Sequence, residues 1–277
     1  MTDGAAPQPV VSPAEAAGRP PRRLRLSRGL VAPLVAVVVF LALWEALVWA
    51  NGWPNYVMAS PSDLVPAYAR YWELFLMMGW QTLWRTVAGL ALAVVFGVGL
   101  GMVMGFSRTM RDALYPLLVG FNAIPKATVV PIVALLFVGA HDFNTVLIAF
   151  LISFFPIAVS VSIGLSTLEP EYRDILRALG ASQATIFWKI ALPKTLPEFF
   201  GALKVAVTLA FIGTNLMEIV SPHGRGLGAL FDSGRTNSDY PLMFAVLIAL
   251  AFLGIVLYYV VVALEKTFAG WAERAPA

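Results

Sequence analysis

Residues 86–106 read Thr-Val-Ala-Gly-Leu-Ala-Leu-Ala-Val-Val-Phe-Gly-Val-Gly-Leu-Gly-Met-Val-Met-Gly-Phe, 21 positions without a charge. A helix needs about 20 apolar residues to cross the hydrocarbon core of a bilayer, so this stretch predicts a spanning helix. Ala93, Gly97, Gly101 and Gly105 recur every four residues. That spacing puts them on one helix face, where a neighbouring backbone can come close. Packing within the chain is the simpler reading, and a contact between subunits the sharper one.

Five further stretches have the same character. Leu30–Ala50, Phe143–Leu168 and Tyr240–Leu264 carry no Lys or Arg, and Ala113–Ala140 is interrupted only by Lys126. Pro197–Val220 contains Glu198, Lys204 and Glu218 around an uncharged centre, Val205–Met217. Six spans follow, and with them an all-α, polytopic membrane protein. The whole chain agrees: of 277 residues, 59% are hydrophobic and 13% charged, against about 25% charged in a soluble domain. Mean hydropathy is +0.79. A soluble enzyme, a secreted module and a disordered chain are excluded, because too little charge remains to coat a water-facing surface.

There is no cysteine, which removes thiol catalysis, disulfide frameworks, iron–sulfur clusters and Cys-ligated zinc. The net charge of +3 does not mark a nucleic-acid binder, because the basic residues are scattered between apolar stretches. They set orientation instead. With both termini cytoplasmic, Arg19, Arg22, Arg23, Arg25 and Arg28 lie inside, as do Arg108, Arg111, Arg173, Arg177, Lys189, Lys194, Lys204, Lys266 and Arg274. Only Arg70, Arg85, Arg225 and Arg235 fall outside.

The organisation expected is a disordered, proline-rich tail (1–29), a first span (30–50), an outer loop with an interfacial helix (51–79), a core (80–268) and a short tail (269–277). The interfacial helix starts at Pro61-Ser62-Asp63. Within the core, 169–196 forms a cytoplasmic loop. Trp44, Trp49, Trp53, Trp80 and Trp84 read as an interfacial belt.

The third span is broken by Pro125 and Pro131, each lacking an N–H. Lys126 beside the break costs about 2.5–3.5 kcal/mol to insert, so it reads either as part of a path or as a snorkelling cation. Lys126, Asn215 and Glu218 are the candidate path residues, with Asn122, Thr128 and Thr214 as further polar positions. The alternative for each is an interhelical hydrogen bond, or for Glu218 a pairing with Arg225. His141 and Asp142 read as a solvated turn. Gly224-Arg225-Gly226-Leu227-Gly228 reads as an outer turn, since no phosphate-binding context surrounds it.

The loop runs Glu169-Pro-Glu-Tyr-Arg-Asp-Ile-Leu-Arg-Ala-Leu-Gly180-Ala-Ser-Gln-Ala-Thr-Ile-Phe-Trp-Lys-Ile190-Ala-Leu-Pro193-Lys-Thr-Leu-Pro197. Pro170 suits a first helical turn, Gly180 a C′ position, and Ser182 the cap of a second helix that stops before Pro193. Ile175, Leu176, Leu179, Ile186, Phe187 and Ile190 then need a partner. It is either the bundle's own cytoplasmic end or a soluble protein.

At these residues the chain resembles the permease subunits of ABC importers, which carry Glu-Ala-Ala-x-x-x-Gly followed about nine residues later by x-Ile-x-Leu-Pro. Gly180, Ala181, Ile190, Leu192, Pro193 and Pro197 fit. Asp174 stands for the leading Glu, and Ile175 and Leu176 for the two alanines. Pro61-Ser62, Ile124-Pro125-Lys126, Gly139, and Glu218 with Gly226-Leu227-Gly228 also resemble the family, in its nitrate, sulfonate and taurine branch.

The resemblance implies a type I importer permease fold and a place in a bacterial plasma (inner) membrane. It implies a separate cytoplasmic ATPase subunit, an extracytoplasmic solute-binding protein and a second copy of the chain. Asp174, Leu176, Leu179, Gly180, Ala181, Phe187, Leu192 and Pro193 would couple the chain to the ATPase. The solute would be a small anion such as sulfonate, taurine or nitrate. ATP would be bound by the partner, and the chain itself has no G-x-x-x-x-G-K-[ST] loop. The competing reading is an ion-coupled secondary transporter. It is weakened because no second broken span pairs with the first. A membrane enzyme lacks a nucleophile–His–acid set within the spans.

Overall fold

The computed structural model describes residues 28–166, 175, 178–221 and 224–271. Among them the order is α1 (Arg28–Asn51), α2 (Pro61–Phe106), α3 (Arg108–Ala123), α4 (Lys126–Leu136), α5 (His141–Ser166) and the single turn α6 (Gln183–Ile186). A π turn (Phe187–Ala191), α7 (Leu192–Val220), α8 (Leu227–Thr236) and α9 (Tyr240–Phe268) complete it. The chain divides into two units, Met1–Leu47 and Val48–Ala277. In the first, α1 presents Val35, Val38, Phe40 and Leu43 outward.

In the second unit, α2, α5 and α9 are each long and apolar enough to cross a membrane, as is Trp188–Val220. α3 and α4 meet that test together, bent by 87°. Of six spans expected, these are five. α1 holds the sixth apolar stretch, Val35–Asn51. The bend falls at Pro125, which caps α4 in an extended conformation. Pro131 lies inside α4 without breaking it, so only one of the two prolines expected to interrupt this span does so.

The helix starting at Pro61 does not end before the second span. Ser60 and Asp63 form a capping box, and α2 then runs for 46 residues with one non-helical residue, Tyr71. The Tyr68 hydroxyl donates to the Ala245 carbonyl at 2.6 Å and that of Tyr71 to Asp239 Oδ2 at 3.1 Å. Both bonds fasten the first half of α2 to the start of α9.

The glycine ladder packs α2 on α5. A Cβ at Gly97 would lie 2.9 Å from Ile157 Cβ, one at Gly101 2.7 Å from Val161 Cβ, and one at Gly105 2.8 Å from Leu165 Cβ. Gly89 meets Ala149 in the same way. The two helices therefore run parallel, backbone against backbone, and the ladder is an intramolecular contact. α7 runs antiparallel to α5, with Gly164 against Thr195 and Gly213 against Ile148 and Ala149. Ala93, Ile157, Val161, Leu165, Ala206 and Val207 form the buried centre. At one side Lys204 of α7 pairs with Glu265 of α9 at 2.8 Å, so its ammonium is held by a carboxylate.

The ladder makes a test. Gly101→Val should destabilise the protein by about 1–3 kcal/mol through overpacking. Gly99, which meets nothing within 4 Å, should accept Ala neutrally or with a gain of up to about 1 kcal/mol. Thermal unfolding in detergent compares the two.

Candidate functional site

The polar interior lies at the Arg85 end of the bundle. Three α2 positions within about one turn, Thr82, Arg85 and Thr86, are buried, as are Thr214 and Glu218 of α7. A charge held away from water must be paired and hydrogen-bonded, and Arg85, 1% exposed, is. Its Nη1 lies 3.2 Å from Glu218 Oε1. Its Nε and Nη2 both donate to Asp142 Oδ1, at 2.8 and 2.6 Å. Nη2 also donates to Gln81 Oε1 at 3.1 Å, and Nη1 to the Arg225 carbonyl. The guanidinium stands over the Trp84 ring, 5.6 Å from its centroid.

Glu218 is equally enclosed. The Thr82 hydroxyl donates to Oε2 at 2.8 Å, and the Gly228 N–H donates to the same oxygen at 3.0 Å. The Leu227 N–H in turn donates to Thr82 Oγ1 at 2.8 Å. These two N–H groups belong to the first turn of α8, where they have no partner within the helix. The carboxylate thus also meets the positive end of the α8 dipole. Gly226, with φ +129°, turns the chain into α8, and a Cβ there would collide with the Glu218 carboxylate. One layer further in, Thr86 Oγ1 and Thr214 Oγ1 are 3.0 Å apart. His141 Nδ1 lies 2.6 Å from Ser221 Oγ and joins the start of α5 to the end of α7.

Two sequence expectations are corrected here. Glu218 pairs with Arg85 rather than with Arg225, whose carbonyl accepts from Arg85. His141 and Asp142 are not a plain solvated turn, because the first binds Ser221 and the second Arg85. Trp84, expected in the interfacial belt, also joins the Arg85 cluster, its indole N–H donating to Gln81 Oε1 at 3.1 Å. Arg85 itself was missed. A cation directly before a 21-residue uncharged stretch, with the intramembrane Glu218 in another span, was the available signal.

The other candidate path residues lie elsewhere. Lys126 Nζ donates to the carbonyl and to Oδ1 of Asn122, so a cation closes the C-terminal end of α3. Asn215 Nδ2 donates to the Phe211 carbonyl at 2.7 Å, and its Oδ1 is buried without a hydrogen-bond partner among the described residues. Among the described residues, no hydrogen bond or ion pair joins any two of Lys126, Asn215 and Glu218.

At the opposite end, Asp174 and Leu176 lie outside the described residues. Leu179 is 79% exposed. Gly180 has φ +84°, the left-handed conformation expected of a C′ glycine. Ser182 Oγ accepts from the Thr185 N–H at 3.2 Å, so it caps the following turn as expected. That turn does not stop before Pro193. It continues through the π turn, whose backbone includes Phe187, into α7. Pro193 follows the π turn directly, after Leu192, and supplies no N–H to the carbonyl one turn before it. Ala181, Leu192 and Pro193 are half-buried.

Comparison with known proteins places these features in a family. Residues 93–270 match the model of the binding-protein-dependent transport system inner membrane component. The formylaminopyrimidine transport permease protein ThiX of Halalkalibacterium halodurans is 31% identical over 243 residues, 87% of this chain and 96% of the relative. The riboflavin transport system permease protein RibX of Chloroflexus aurantiacus is 31% identical, over 86% of this chain and 88% of the relative. The nitrate import permease protein NrtB of Synechocystis is 26% identical, over 87% and 90%. The fold matches a chain of the inward-facing MetNI methionine ABC transporter with a TM-score of 0.60 and 19% identity. That match covers 71% of this chain and 96% of the other.

Breaking the buried pair should be costly. Glu218→Gln leaves the guanidinium undercompensated and should lose about 3–5 kcal/mol, whereas the double variant Arg85→Met with Glu218→Met should recover part of this. Asp142→Asn should cost less, because that side chain is 60% exposed. Unfolding midpoints in detergent would rank the three, and a Glu218→Gln protein as stable as wild type would contradict the description.

Proposed function

Because this chain belongs to the family of binding-protein-dependent transport system inner membrane components, we propose that it forms the membrane path of an ATP-driven importer. The family is one of multi-pass transport components, not of enzymes. In this reading a binding protein delivers a small solute on one side and a separate ATPase drives the cycle from the other. The observation that carries it is the loop before α7. Leu179 and Trp188 are largely exposed on it, Gly180 turns it, and Ile186 and Ala191 are buried. Such an element is anchored at one end and presents apolar surface at the other, which is what transmission of a partner's motion requires. Asp174, Leu176, Leu179, Gly180, Ala181, Phe187, Leu192 and Pro193 form this coupling segment. A second copy of the chain completes the path.

The solute proposed is a small polar molecule. An anion such as nitrate, sulfonate or taurine is the reading drawn from Lys126 and the branch resembled, and the nitrate-importing relative supports it. Lys126 supports it less than its sequence position suggested, because its ammonium is spent on Asn122. Relatives named for riboflavin and for formylaminopyrimidine make nitrogen heterocycles the second class.

The orientation proposed has both termini and the coupling segment in the cytoplasm, so the Arg85 cluster lies at the outer end. Single cysteines at Ser107, Ser182 and Ser233 test it in intact cells. Only Ser233→Cys should react with an impermeant maleimide, and labelling at Ser182 would reverse the orientation. The coupling role is tested at Gly180, where φ > 0 strains any β-branched side chain by about 1–3 kcal/mol. At equal membrane abundance, Gly180→Val should lose ATPase copurification and ATP-dependent uptake. Wild-type levels of both would remove the segment from the coupling role.

A further inference from the structure

The π turn Phe187–Ala191 separates the loop from α7, and it changes which residues face inward. Ile186 and Ala191 are both 3% exposed, and Thr195 follows, also at 3%. Ala191 and Thr195, four apart, share an α-helical face. Ile186 and Ala191 do not, because five residues carry an α-helix through about 500°, roughly 140° past the starting face. They are buried together because the π turn takes up one extra residue, each π bond reaching i+5 rather than i+4. In an unbroken α-helix counted back from Thr195 and Ala191, the inward positions would be Trp188 and its neighbours, and Ile186 would turn out. Trp188 is now 65% exposed.

The surroundings leave this segment free to change. Pro193 and Pro197 supply no N–H, so the carbonyls one turn before them lack their usual backbone donors. The Thr195 hydroxyl bonds the Ala191 carbonyl at 2.8 Å, the last residue of the π turn. Gly164 lets α5 close on Thr195, where a Cβ would sit 2.5 Å from Thr195 Cγ2. Beyond that contact α7 is held by close approach of α5, and before it the segment is held by the burial of Ile186 and Ala191 alone. Beside Leu192, Leu196 and Phe199 lies an apolar cavity of about 130 Å³, also lined by Val98, Met102 and Leu165. The first turn of α7 therefore has room to shift on that side.

We propose that the π turn Phe187–Ala191 is a register switch. On ATP binding by the partner it converts to α-helix, rotates the coupling segment by about 100° relative to α7, and exchanges buried Ile186 for exposed Trp188. The proposal rests on the coupling reading above. It adds the joint at which a push on the loop becomes a twist rather than a translation of α7.

Because the chain has no cysteine, Ile186→Cys and Trp188→Cys are clean probes. In the purified complex with its ATPase in nanodiscs, maleimide should label Trp188→Cys fast and Ile186→Cys slowly without nucleotide. In the ATP-trapped complex the two rates should move in opposite directions by about tenfold or more, as a near-complete population shift requires. A docked ATPase can shield position 188 but cannot expose position 186. If Ile186→Cys stays protected in the trapped complex, the switch is overturned.

A second arm needs no ATPase. Deleting Lys189 removes the extra residue, with Lys189→Ala as the charge control. In the chain alone, the deletion should expose Ile186→Cys and protect Trp188→Cys, and unchanged rates would overturn the register argument. Failure of the ATPase to copurify with the wild-type chain would fail the coupling reading and leave this arm to decide the register. If the deletion variant does not accumulate, the trapped complex decides.

Discussion

A guanidinium placed between apolar helices fixes one end of this molecule. Arg85 has no route to water of its own, so its charge must be met from neighbouring segments. Glu218 closes from α7, Asp142 from the first turn of α5, and the Arg225 carbonyl from the turn before α8. An ion pair of this kind adds little net stability, because desolvation of both ions offsets most of their attraction. Its weight lies in what its absence would cost, and in geometry. Glu218 must stand where it also takes the Gly228 N–H, so α8 begins against α2 and α7. Gly226 is then obliged to be glycine, because no Cβ fits beside that carboxylate.

From that end the bundle is held by close approach rather than by charge. The ladder from Gly89 to Gly105 brings α2 against α5 along their shared length, and Gly213 and Gly164 bring α7 against α5 at two levels. Water-driven burial adds nothing between helices in lipid, so contact of this closeness is the main attraction available. The last of these close approaches is at Thr195, and past it Ala191 and Ile186 are the buried anchors. Past it come the π turn, two prolines, a cavity and an exposed loop. One end is locked and the other carries the proposed joint, the division that the proposed coupling to an ATPase requires.

Much of this was written in the sequence, unevenly. The spans follow from uncharged length, and the ladder from its four-residue spacing. Gly180 and Ser182 follow from the local demands of helix ends, which few residue types meet. The Arg85 cluster was not legible in the same way. Its partners are 57 and 133 positions away, and pairing over such separations has no local signature. Counting Arg85 as an outer charge was reasonable for orientation and silent about burial. Lys126 misled in the opposite sense. Its place beside a proline break suggested a path, yet the break itself frees the Asn122 carbonyl that its ammonium binds. The π turn was hidden because Pro193 looked like a stop, and only the burial of Ile186 together with Ala191 reveals the added residue.

The central claim is that this chain moves solute only when a separate ATPase drives it. Proteoliposomes containing the chain alone, or the chain with its ATPase and binding protein, can be given nitrate, taurine, riboflavin or formylaminopyrimidine. Either internal ATP or an imposed ion gradient then serves as the energy source. Uptake that requires the ATPase and ATP, and is absent with the gradient alone, is the result expected. Gradient-driven accumulation by the chain on its own would contradict the account and make it an ion-coupled transporter.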